Sequence, residues 1–184
     1  MSFSQALRDT VHRKFMETRA TLGHGGEGIC ERMRDCGEDE RTVLEFFYST
    51  MPASDIGDYD FSLYQKFARF GLSAWENPFW ESRIPEDIFL NYVLSYRINN
   101  EAIADCRPLF RKELSERVRG KSMNEAALKV NIWCAEHVTY QATDDRTVSP
   151  LTVMKSSYGR CGEESTFAVT ALRSVGIPAR QIYA

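Results

Sequence analysis

The chain has no run of apolar residues near the roughly 18 that a membrane-spanning helix needs, so no span is expected within it. Its start, Met1-Ser2-Phe3-Ser4-Gln5-Ala6-Leu7-Arg8, lacks the basic stretch followed by an apolar stretch that marks a signal peptide. The expected location is therefore cytoplasmic if Met1 is the natural start, and extracytoplasmic if a signal has been removed. Basic residues do not predominate: 23 Lys and Arg face 26 Asp and Glu, a net charge of −3. That balance offers no basic face for a nucleic acid. Five cysteines, an odd number, include no Cys-x-x-Cys pair and no zinc-ligand spacing, so free thiols and no metal or cofactor are expected. Histidine is scarcer still, with three in the chain and none beyond His137.

What is present argues for a folded protein. With 184 residues, 43% of them hydrophobic and 12% aromatic, the chain can bury a sizeable core and make one domain, or one domain and part of another. Leu7, Val11, Phe15 and Met16 recur at helical spacing from Ser4 onward. The stretch Leu22-Gly23-His24-Gly25-Gly26-Glu27-Gly28 matches G-x-G-x-x-G in form. A helix precedes it where a phosphate-binding loop needs a strand, so it reads as a flexible turn. Val43, Leu44, Phe46, Phe47 and Met51 predict a second buried helix, ended by Pro52. Asp55, Asp58 and Asp60 lie close together, but the glycine and glutamate a calcium loop requires are missing, and a solvated helix start is expected there.

The aromatic series from Phe61 to Tyr96 reads as core, since aromatics dominate core burial and no polar groups converge on it. Arg107 to Arg119 alternates charge around Leu109, Phe110, Leu114 and Val118, an exposed helix with a narrow buried stripe closed by Gly120. Ser122-x-x-Glu125 is a capping box opening a helix through Ala126, Val130, Trp133 and Cys134. Cys106 and Cys134, among apolar neighbours, read as small buried hydrophobes. Cys30 and Cys36 could form a disulfide, though their spacing does not require one. Val138-Thr139-Tyr140 reads as a short extended piece and 144–147 as a loop. Ser149-Pro150 supplies an N-cap and a first-turn proline for a short helix. The apolar pattern restarts at Gly120, which divides a helical region, 1–120, from a second region, 121–184.

Cys161 carries the chemistry. Gly159 gives a flexible approach, and Cys161 sits in the first turn of a helix anchored by Phe167, Ala168, Ala171, Leu172 and Val175. Gly176 caps that helix, and Ile177-Pro178 leads into an extended segment, 179–183. A thiol at a helix N-terminus meets the positive end of the macrodipole and unpaired N–H groups, which favour thiolate and can hold an oxyanion. Glu163 and Glu164 would oppose the thiolate. His137 could approach it from the preceding helix but reads better as a helix-end residue, and His12 and His24 are more remote candidates.

Tyr158-Gly159-Arg160-Cys161-Gly162-Glu163-Glu164, the apolar helix, and Arg173-Ser174-Val175-Gly176-Ile177-Pro178-Ala179-Arg180 resemble the nucleophile segment of the transglutaminase-like superfamily. Trp133 to Tyr140 and Thr147 to Met154 resemble that family's approach to its cysteine. The likeness covers 121–184, about a third of the chain; residues 1–120 resemble the helical extension of some bacterial members. It implies papain-like cysteine chemistry with Cys161 as nucleophile, acting on amide bonds of proteins or peptides through a thioester. The family's histidine and aspartate come from strands after the cysteine helix, and neither has a counterpart here. The expected fold is mainly α, a helical N-terminal region followed by the first part of an α+β papain-like core whose sheet is largely missing. The expected role is a fragment of a cysteine enzyme, inactive alone, with hydrolysis ahead of transfer to an amine. The alternative is a non-catalytic helical interaction module on a transglutaminase-like scaffold, and a homodimer through the exposed core face is expected under that alternative.

Overall fold

The computed structural model describes residues 2–80, 84–143 and 145–182, with the His24 side chain outside that description. Asp144 of the expected loop and Tyr183 of the expected extended segment also lie outside the described residues. The protein is mainly α, and among the described residues it has one pair of short parallel strands. Two compact units divide it, Met1–Leu72 and Ser73–Ala184. Among the described residues no helix is long and apolar enough to cross a membrane.

The first unit is built on α1 (Gln5–Leu22) against α3 (Glu38–Thr50). Ser4 caps α1 by accepting from the Leu7 N–H at 3.4 Å, and Val11 and Phe15 turn inward, whereas Met16 is 41% exposed. On α3, Val43, Leu44 and Phe47 have no exposed surface. Asp39 ties the two helices: it accepts from the Phe3 N–H at 3.1 Å and from Arg8 Nη2 at 2.7 Å. The acidic stretch differs from expectation. It forms a short helix, α4 (Ala53–Asp58), and Asp55 is buried rather than solvated, its carbonyl accepting from Tyr64 Oη at 2.6 Å. α5 (Phe61–Glu76) follows, amphipathic as its sequence predicts.

The glycine-rich stretch is not a loop. Gly23, at φ +55°, ends α1, and the chain at once starts α2 (His24–Arg32). Each helical glycine costs about 1 kcal/mol relative to alanine. For Gly26 the reason is contact with α1, since a Cβ there would lie 3.0 Å from Arg19 Cγ and 3.1 Å from its carbonyl oxygen.

The second unit runs through α6 (Glu86–Phe89), a π-helical turn (Leu90–Leu94), α7 (Arg107–Val118), α8 (Met123–His137), β1 (Thr139–Tyr140), α9 (Pro150–Ser156), β2 (Tyr158–Gly159) and α10 (Cys161–Ser174). The capping box holds: the Glu125 carboxylate accepts from the Ser122 N–H at 2.9 Å, while Ser122 Oγ accepts from the Glu125 N–H at 3.3 Å. Ser149 caps α9 with Pro150 in its first turn. Helices α7, α8 and α9 all pack on α10. Phe110, Trp133 and Phe167, each at most 1% exposed, meet at its centre. Their centroids are 4.9 to 5.3 Å apart, with Trp133 and Phe167 stacked at 10°.

Two arginines are buried at the far end of this core. Arg107 Nη1 donates to the carbonyls of Val93 and Leu94 at 3.0 and 3.1 Å. Arg173 donates to Ser95 and Arg97 at 2.7 and 3.0 Å and, through Nε, to Ala179 at 3.0 Å. Burial pushes both guanidiniums below their ordinary value, and proximity to Arg107 adds to the effect at Arg173; the buried carboxylate of Glu101 opposes it at both. They remain cations at neutral pH. Gly176, at φ +87°, turns the chain out of α10, and the Ala179 N–H donates to the Tyr92 carbonyl at 2.9 Å.

Phe167→Ala should remove the middle of the aromatic stack and cost about 3–5 kcal/mol by urea unfolding. Leu128→Ala, at a position 60% exposed, should change stability by less than about 0.5 kcal/mol.

Candidate active site

Cys161 is the first residue of α10, and of the five free cysteines it is the exposed one. Its side chain makes no hydrogen bond among the described residues, and its carbonyl accepts from Ser165 Oγ at 2.6 Å. The opposite face of α10 is fixed: Glu163, Thr166, Phe167, Ala171 and Ser174 have no exposed surface. The thiol is thus held at the surface by a helix whose other side is core.

The approach to it is clamped rather than flexible. Gly159 lies so close to α10 that a Cβ there would fall 2.6 Å from Glu163 Cβ. Glu163 reaches back to the chain before the helix. Its carboxylate accepts from the Arg160 N–H at 3.0 Å, from Nε at 3.2 Å and from Nη2 at 3.0 Å. Arg160 Nη2 also donates to the Arg146 carbonyl at 3.2 Å, tying in the preceding loop. Burial alone would raise the pKa of Glu163, but the bonds from Arg160 outweigh it and hold the carboxyl below its ordinary value. A negative charge close to Cys161 is thereby paired with an adjacent guanidinium, so its opposition to a thiolate is smaller than the sequence suggests.

A second segment is brought beside the cysteine by the strands. β1 and β2 pair in parallel with Thr139 opposite Tyr158 and Tyr140 opposite Gly159, and the Gln141 N–H donates to the Gly159 carbonyl at 2.9 Å. Ser157, at φ +62°, turns the chain from α9 into β2. This register sets Tyr140 level with the residue two before Cys161, and its ring is 66% exposed. Tyr158 is exposed as well.

His137 and His12 are engaged elsewhere, and the His24 side chain lies outside the described residues. His137 stacks on Trp133 with centroids 4.4 Å apart, and its Nδ1 lies 2.8 Å from the Trp133 carbonyl oxygen. His12 Nδ1 lies 3.0 Å from Glu45 Oε1 in the first unit. Among the described residues no group of three or more His, Cys, Asp or Glu is placed to hold a metal. Three of the other thiols are buried. Burial pushes Cys106 and Cys134 up to about 12 and raises Cys36 too, with Glu40 adding to it.

The residues missed in the sequence are Glu163 as a clamp, Gly159 as its contact point, and Tyr140 as the strand partner of Gly159. The three-residue step from Arg160 to Glu163 was a signal for the first. It is the spacing of a capping box, with arginine in place of serine or threonine.

The arrangement defines a helical protein presenting a surface thiol at the opening of an otherwise buried helix. Residues 112–184, which span α10 and most of the helices packed on it, match the family model described as the transglutaminase-like superfamily. Neither the curated proteins nor the solved structures give a match to the chain.

Gly159→Ala should destabilise the second unit, because the partner atom is a Cβ on a buried helix and cannot swing aside; a lower urea midpoint than wild type checks this. Glu163→Gln tests the clamp. A depressed carboxyl contributes stability above the ordinary glutamate range and loses it as pH falls through the lower folded value. The stability advantage of wild type over Glu163→Gln should therefore be full at neutral pH and shrink on acidification, measured by urea unfolding in steps from pH 7 to pH 3.

Proposed function

We propose that Cys161 is the nucleophile of a cysteine enzyme acting on amide bonds of proteins or peptides. The observation that carries this reading is the thiol's position, exposed on the first residue of a 14-residue helix whose remaining turns are anchored in the core. The N–H groups of a helix's first turn have no intrahelical partner, and with the macrodipole they favour both a thiolate and the oxyanion that forms when it attacks. In the proposed reaction the thiolate adds to the amide carbonyl, the C–N bond breaks, and the amine leaves with a proton. The resulting thioester then passes its acyl group to water, or to a second amine, with release of the thiolate. Hydrolysis is the preferred outcome. Tyr140 and Tyr158 supply apolar surface beside the thiol for the acyl donor.

The chemistry needs a base. No described side chain hydrogen-bonds the Cys161 thiol, so the base is proposed to come from outside the described residues. The same observation favours a second reading, a helical interaction module that keeps the transglutaminase-like scaffold without catalysis. In that case a protein partner, or a second copy of this chain, covers the exposed face around Cys161.

Limited alkylation separates the two readings. Across pH 6 to pH 9, iodoacetamide should modify Cys161 ahead of Cys36, Cys106 and Cys134, followed by peptide mass mapping. A rate for Cys161 that is already at its plateau below pH 8 supports an activated nucleophile. A rate that climbs through pH 8.5 like a free thiol counts against it. In the natural gene product, Cys161→Ala should abolish ammonia or peptide release from glutamine-containing peptides while leaving the urea midpoint unchanged.

A further inference from the structure

Two glycines of α2 have no packing reason to be glycine. A Cβ at Gly25 or Gly28 would meet nothing within 4 Å, unlike one at Gly26. Residues 25, 28, 29 and 32 lie at the i, i+3, i+4, i+7 spacing of one helix face, and all four line a cleft of about 550 Å³ in the first unit. Gly57, across this cleft, is likewise bare, with nothing within 4 Å of an added Cβ. Bare glycine surface in a cleft of this size lets a ligand approach the backbone closely.

Polar side chains that make no hydrogen bond or ion pair among the described residues line the same space, with Arg32, Asp58 and Asp60 exposed to it. Tyr48 lines the cleft and is only 3% exposed, yet its hydroxyl makes no hydrogen bond among the described residues. Its ring is fixed, stacked on Phe61 at 6.3 Å and 17° and edge-on to Tyr64 at 5.6 Å. Burial pushes its phenol up to about 12, so it is a neutral donor. The oxygen is not among the fully buried unpaired atoms, so the hydroxyl keeps its opening to the cleft while the ring is held in place. Arg32 sits beside it, 6.0 Å from the Phe61 centroid, with no carboxylate within 4 Å among the described residues. Asp58 and Asp60 line the cleft too, and their carboxylates make no hydrogen bond or ion pair among the described residues.

We propose that this cleft binds a zwitterionic ligand of the amino-acid or short-peptide class, with its carboxylate on Arg32 and Tyr48 and its ammonium on Asp58 and Asp60. A simple anion would meet the two aspartates, and a simple cation would meet Arg32. A neutral ligand would leave all three charges without partners. A zwitterion satisfies both signs and the phenol at once. The site is independent of the chemistry at Cys161.

Calorimetric titration of the full chain at pH 7 and low salt, with trialanine and the twenty free amino acids as probes, tests it. At least one probe should bind with a Kd below ~1 mM, and acetylating its amine or amidating its carboxylate should weaken binding at least ~10-fold. Arg32→Ala and Tyr48→Phe should each weaken it about 10-fold at unchanged Tm. Gly28→Ala should raise Tm while weakening binding, a combination that a purely structural glycine would not give. No binding by any probe at millimolar concentration overturns the proposal, as does equal binding of free and blocked forms.

Discussion

Helices α7, α8 and α10 meet in one buried aromatic cluster at the centre of their shared core, and the placement of Cys161 depends on it. Phe110 on α7, Trp133 on α8 and Phe167 on α10 share one buried stack. Non-directional burial drives the helices together, but the stack also sets the rotation of α10. With Phe167 and Ala171 facing the stack, Cys161 falls on the side that meets solvent. The two buried arginines then fix the opposite end. Charges taken out of water are costly unless their donors are used. Arg107 and Arg173 spend theirs on the carbonyls of 93–97 and of Ala179, joining the π-helical turn to the exit of α10.

At the exposed end of α10 the constraint is short-range. Gly159 and Glu163 touch, and Glu163 holds Arg160, so the residues on either side of the helix start cannot move independently. The parallel strand pair adds Tyr140 to this assembly through backbone bonds alone. A thiol built on such a frame is held in place, which is what the proposed nucleophilic role needs from a scaffold. The frame supplies position; the proton acceptor is a separate matter, because His137 and His12 are engaged with Trp133 and Glu45.

Much of this was legible in the residue pattern. The mainly α character, the capping box at Ser122, the Ser149-Pro150 start and Cys161 opening a helix all follow from local rules that tertiary packing did not overturn. The departures share a cause: they depend on what a residue touches. Local chemistry made the 22–28 stretch a turn, but α1 ends at Gly23 alone and Gly26 then packs on Arg19. Asp55 looked solvated and is buried. The apolar pattern restarts at Gly120, whereas the compact units part at Leu72, because α7 carries its narrow stripe into the core of α8 and α10. Gly159 looked like a flexible approach and is a contact point. Periodicity reports which face is buried, not which neighbour lies against it.

Glycine shows how far that distinction reaches. In sequence, Gly25, Gly28, Gly57 and Gly159 are alike: small, and outside any apolar pattern. In space they fall into opposite classes. At Gly159 a side chain would collide with a helix, so the missing Cβ is part of the packing and its role ends there. At Gly25, Gly28 and Gly57 the space is open, so packing gives no reason for the loss of helix propensity and chain order that glycine brings. A residue that weakens its own helix without filling or relieving a contact points to something that approaches from outside. At this opening stand a phenol, a guanidinium and two carboxylates that make no hydrogen bond or ion pair among the described residues.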